Sequence, residues 1–118
     1  MKFVLWTTCV LALSVAAAVS ADAKPIKKQK DFMATIVGKK LVSGNSWIVA
    51  SADGKLTGVS RKGEKITGAW IWHKRFFCRN IYLGQTRLPE DCNTVSIDGN
   101  TATFTRDKGK GKATIFSF

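Results

Sequence analysis

A chain of 118 residues makes one domain with a modest core, in the size range where covalent stapling adds needed stability. Its 19 lysines and arginines against 8 acidic residues give a formal charge of +11, which bears on association with anions and not on fold. The sequence contains no nucleophile elbow, phosphate loop or metal motif, which excludes the catalytic frameworks that short motifs announce.

In chain order, Lys2, an apolar run over 3–19 and the small residues that follow have the layout of a cleavable export signal over residues 1–21, with a cut after Ala21 or Ala23. The alternative, a retained membrane helix, is disfavoured because the run is short for a bilayer that needs about 20 apolar residues and no stop-transfer pattern follows. Cys9 lies inside the apolar run and not after the small residues, so it is no lipid-bearing mature N-terminus. Loss of residues 1–21 removes Lys2 and no acid, leaving 18 basic against 8 acidic residues, or +10. The expected location is periplasmic or secreted, with no membrane span after processing.

Residues 22–30, basic and interrupted by Pro25, read as a flexible arm that buries too little to order itself. A single β-rich domain follows over 31–118. Asp31 is placed to cap a short helix whose Phe32, Met33, Ile36 and Val37 keep to one face, with Gly38 at its C-terminal end. Beyond Leu41 the pattern turns to brief β-branched and aromatic runs divided by glycine turns: 47–51, 56–60, 65–73, 76–83, 92–97, 101–105 and 113–118. These predict a mainly β fold: a six- or seven-stranded antiparallel meander, curled into a small barrel or a half-barrel closed by the helix. Crossover helices for a parallel sheet are lacking.

Cys78 and Cys92 are the two thiols left after export, and an oxidising setting gives them one intramolecular connection, a disulfide worth about 3 kcal/mol in the chain-entropy model. A metal or redox role is unsupported, because C-x-x-C spacing and a cluster of partner ligands are both missing. No cofactor is expected. In a hairpin of 76–83 with 92–97 the two cysteines are not direct neighbours, so either the loop 84–91 folds back over the sheet or the strand ends differ by a few residues.

The densest group of distinctive residues runs from Gly68 to Arg79. Gly68, Trp70 and Trp72 form G-x-W-x-W, Phe77-Cys78-Arg79 follows, then Asp91-Cys92 and a hairpin at Asp98-Gly99. This order resembles small secreted bacterial proteins that share a glycine-rich β-meander and a cysteine pair. The resemblance covers roughly residues 30–118 and implies fold and export, with no catalytic residues to carry over.

Trp70 and Trp72 share one strand face, where they are either core, the usual fate of large aromatics, or an exposed platform for a flat ligand; Trp47 poses the same choice. His73, Lys74, Arg75, Arg79 and Arg87, with Lys108, Lys110 and Lys112 on a second turn, suit phosphate or carboxylate partners, or else are solvated charge that keeps sheet edges apart. The expected function is therefore a non-enzymatic binding or envelope-associated module for an anionic partner: an envelope component, a polyanion or an acidic protein, without a specific nucleic-acid motif. One alternative is a cationic secreted hydrolase or nuclease with His73 as acid, Glu64 or Glu90 as base and an arginine on the phosphate. Another is an outer-membrane structural protein, suggested by the terminal Phe116-Ser117-Phe118 but opposed by short, charged strands.

Overall fold

The computed structural model describes residues 23–118, so the expected export signal of residues 1–21 lies outside the described residues. Alternation of apolar and polar residues builds the longer elements. In β5 (Lys65–His73) and β6 (Phe76–Leu83), Ile66, Trp70 and Phe77 face inward. In β8 (Asp91–Asp98) and β9 (Thr101–Thr105), Val95, Ala102 and Phe104 do the same. The remaining wall strands are β2 (Leu41–Ser43), β3 (Ser46–Ala50), β4 (Lys55–Val59) and β10 (Ala113–Ser117).

Neighbours run β8-β9-β10-β2-β3-β4-β5-β6, all antiparallel, and β6 pairs back to β8. Eight strands thus close a barrel. Two outer strands lie beside it, β1 (Lys24–Ile26) on β8 and β7 (Thr86–Arg87) on β6. Closure needs strands that bend sharply, and Gly58 and Gly68 allow it: a Cβ at either would collide with a neighbouring carbonyl oxygen, of Trp47 and Asn80 respectively.

Helix α1 (Gln29–Thr35) plugs one end of the barrel. Its Phe32 is fully buried, with ring centroids 5.2 Å from Trp70, 5.0 Å from Trp72 and 5.2 Å from Phe77. The helix begins before the expected cap. Lys28 takes the N-cap position without a side-chain bond, and Asp31 lies in the first turn, where its charge complements the helix dipole. Gly38, at φ +83°, then turns the chain into β2 and donates its N–H to the Ala50 carbonyl at 2.9 Å.

Three short strands, β1, β2 and β7, add to the seven read from the sequence. The segment 22–30 is corrected from a flexible arm: Lys24, Pro25 and Ile26 pair with Ile97, Ser96 and Val95. One apolar side chain, Ile26 at 8% exposure, is enough because it enters the barrel core, and proline is tolerated on an outer strand.

The cysteines are also corrected from offset positions to direct partners. The closing seam is Phe77↔Asn93, Cys78↔Cys92 and Arg79↔Asp91, with the bonded Cys78 and Cys92 4.0 Å apart at Cα. Of the two alternatives, the loop 84–91 folds back: β7 lies on the end of β6, pairing Tyr82 with Arg87 and Leu83 with Thr86, and so returns β8 alongside the start of β6. Outside the wall, the large exposed apolar residues Met33, Ile71, Tyr82 and Ile115 are scattered over four elements and form no continuous band.

Candidate functional site

Arg79 shares the inward parity of Phe77 on β6, and Asn93 shares that of Val95 on β8, so two polar side chains are carried into an apolar lumen. They line a cavity of about 230 Å³, whose floor is Phe32 and whose aromatic wall is Phe77, Phe104 and Phe116. The last three rings interlock edge to face, at 5.3 Å for Phe77 with Phe104 and 5.4 Å for Phe104 with Phe116. A second hollow of about 620 Å³ shares Ile48, Ile81, Arg106, Thr114 and Phe116 with the first and reaches Arg61 and Lys112. The lumen is closed by α1 at one end and opens through a basic mouth at the other.

Between lumen and rim, two arginines share one carboxylate. Arg79, whose side chain is 7% exposed, donates from Nη1 to the Pro89 carbonyl at 3.0 Å and sets Nη2 3.9 Å from Asp91 Oδ2. Arg106 donates from Nε to the same Oδ2 at 3.1 Å, and the backbone N–H of Asp107 donates to Oδ1 at 3.0 Å. One positive charge is left over. Burial lowers the proton affinity of Arg79 and the neighbouring Arg106 adds to this, while Asp91 opposes it; guanidinium is still charged at any ordinary pH. For Asp91, burial acts to raise the carboxyl, but the Asp107 N–H, the Arg106 side chain and the Arg79 charge outweigh it and hold it below the usual carboxylate range.

Asn93 is 7% exposed, and its buried Oδ1 accepts no hydrogen bond among the described residues. A buried acceptor left unmade costs about 1–3 kcal/mol. Trp72 Nε1 is in the same condition at the closed end.

The residues singled out from the sequence scatter. Trp70 is 5% exposed and donates Nε1 to the Ser51 carbonyl at 2.9 Å, leaving no free face for stacking. Trp72 is half-buried against Phe32, and Trp47 lies outside, with Lys40 Nζ 4.7 Å from its ring. His73, Lys74 and Arg75 are exposed on the β5–β6 turn at the closed end, whereas Arg87 is exposed beside Glu90, 3.1 Å away. Lys108, on the short turn α2 (Arg106–Gly109), reaches over Phe76 on the outside of the wall. Of that basic set only Arg79 enters the lumen. Glu64 and His73 flank the two ends of the nine-residue β5, about 30 Å apart at 3.3 Å per residue, so they form no acid–base pair; Glu90 is engaged by Arg87. Among the described residues no group of His, Cys, Asp and Glu is placed to hold a metal ion.

No protein-family model, curated protein or solved structure matches this chain. Asn93, Asp91 and Arg106 escaped the sequence reading. A signal for the first was present: Asn93, Val95 and Ile97 alternate along one strand, which puts an asparagine on the face of two core residues.

Proposed function

We propose that the protein is an exported, non-enzymatic binding module that takes a small, largely apolar molecule with one anionic group into the barrel lumen. The observation that carries this is the pairing of an apolar cavity of about 230 Å³ with a surplus positive charge at its rim. A dry cavity of about 150 Å³ already accommodates benzene, so the space suits a monocyclic ring with substituents or a short chain. Arg106 is half exposed, lines both lumen and mouth, and spends only Nε on Asp91, which leaves its outer nitrogens for an anion. The exposed cations support a lumen over a flat polyanion surface, since they are split between the two ends of the barrel. The Cys78–Cys92 disulfide is consistent with the oxidising compartment that export implies.

Calorimetric titration of the purified mature chain with phenylacetate and its neutral isostere phenylacetamide tests the reading. The acid should bind more tightly, weaken with added salt, and lose its advantage in Arg106→Gln. Absence of phenylacetate binding, or equal binding of the two compounds, would overturn it.

A further inference from the structure

The closed end of the barrel carries cations that the lumen does not use, because α1 stands between them. On the edge of β8 away from β9, Ile26 pairs with Val95 and Phe77 with Asn93, so β1 ends where β6 begins. The chain leaves β1 through Lys27-Lys28 and enters β6 from Lys74-Arg75, which sets these four residues side by side. Lys24 on β1 and Lys30 on α1 complete a group of six. All six are exposed, and among the described residues none of them is held in an ion pair. Asp31 and Asp98 stand nearby and are too few to neutralise the group. Lys74 also takes φ +57° in its two-residue turn, where glycine is the usual residue, so a charge is kept there against the preference of the backbone.

We infer that this end docks on an anionic lipid surface, with the plug helix against the headgroups and the lumen mouth turned away from the membrane. Five of the six cations are lysines, compact point charges suited to many diffuse contacts, whereas capture of a single phosphate favours the forked donors of arginine. Clusters of about four to eight such residues are what an anionic leaflet attracts. Met33, 36% exposed on α1, sets an apolar side chain among them, at the depth where headgroups give way to acyl chains. A single-stranded nucleic acid would instead be met by exposed aromatic rings for its bases, and among the described residues no exposed Phe, Tyr or Trp stands at this end.

Co-sedimentation of the mature protein with vesicles at physiological salt tests this, and two variants that lose the same charge from opposite ends separate a docking end from general basicity. The closed-end variant carries Lys27→Gln, Lys28→Gln, Lys74→Gln and Arg75→Gln; the open-end variant carries Lys62→Gln, Lys65→Gln, Lys108→Gln and Lys110→Gln. All eight positions are exposed, and circular dichroism checks that both variants fold. The ends lie about 30 Å apart along the nine residues of β5, well beyond the screening length of about 8 Å, so open-end cations are out of reach of a surface touching the plug. The unaltered protein should bind vesicles of phosphatidylglycerol and phosphatidylcholine in equal parts and ignore phosphatidylcholine alone. The closed-end variant should bind the mixed vesicles at least a hundredfold more weakly, from a several-fold loss at each charge, while the open-end variant stays within about threefold of the parent. No binding to the mixed vesicles, equal binding to the neutral ones, or equal losses in the two variants would overturn the proposal. Tighter binding of a single-stranded oligonucleotide than of the mixed vesicles, lost in the closed-end variant alone, would overturn it in favour of a nucleic-acid surface. No lumen ligand enters the experiment, so its failure and failure of the lumen reading are separate results.

Discussion

Replacing Cys78 and Cys92 together by alanine removes the one covalent tie across a seam only three residue pairs long, Phe77↔Asn93, Cys78↔Cys92 and Arg79↔Asp91. The sequence separation is 14, and closing a loop of that size contributes about 3 kcal/mol in the chain-entropy model. For a domain of this size each kcal/mol moves the melting temperature by about 4–8 °C, so a fall of roughly 12–24 °C is expected in thermal unfolding followed by circular dichroism. The loss should also be local before it is global. Amide hydrogen exchange should quicken first over the β6–β8 seam, while β3, β4 and β5, which have no share in the bond, keep their protection. A double variant within about 0.5 kcal/mol of the parent in urea denaturation, the scatter typical of surface changes, would refute the claim that the disulfide holds the barrel shut.

Phe32→Ala, which strips the plug of its fully buried ring and its three aromatic neighbours, should cost about 3–5 kcal/mol by chemical denaturation. Asp91→Asn leaves Arg79 and Arg106 facing each other without a counter-ion, and a loss of roughly 3 kcal/mol is expected at neutral pH. Because the Asp91 carboxyl titrates below its ordinary range, its contribution is complete above the unfolded value of about 4 and disappears as pH falls through the lower folded value. The stability gap between parent and Asp91→Asn, measured by urea titration, should accordingly be flat from neutral down to mild acid and close only below it. His73→Ala, at an exposed turn position, should change stability by less than about 0.5 kcal/mol and leave phenylacetate affinity unaltered in calorimetry.

The seven longer strands were legible because alternation and glycine turns are local signals. Ile66, Trp70 and Phe77 announce their inward faces within a few residues of chain, and the single disulfide followed from counting thiols. What could not be read is what depends on distant partners. Lys24-Pro25-Ile26 carries one apolar residue, and only the edge of β8 makes it a strand. The seam between β6 and β8 is set by where β7 folds back, a register that no local pattern states. The site is hard to read for a related reason: basic residues close in sequence look like one patch, whereas strand parity sends Arg79 into the barrel and leaves Arg75 and Arg87 in solvent at different places. Asn93 carried no charge and so drew no notice, although its parity with Val95 placed it indoors.

The most direct test of the account is an NMR map of where an aromatic acid touches the protein. With phenylacetate added to the labelled mature chain, intermolecular contacts should appear to the rings of Phe77, Phe104 and Phe116, with resonance changes at Arg106. Contacts confined to the outer basic residues Arg75, Arg87 and Lys108, with the lumen rings unmoved, would contradict it.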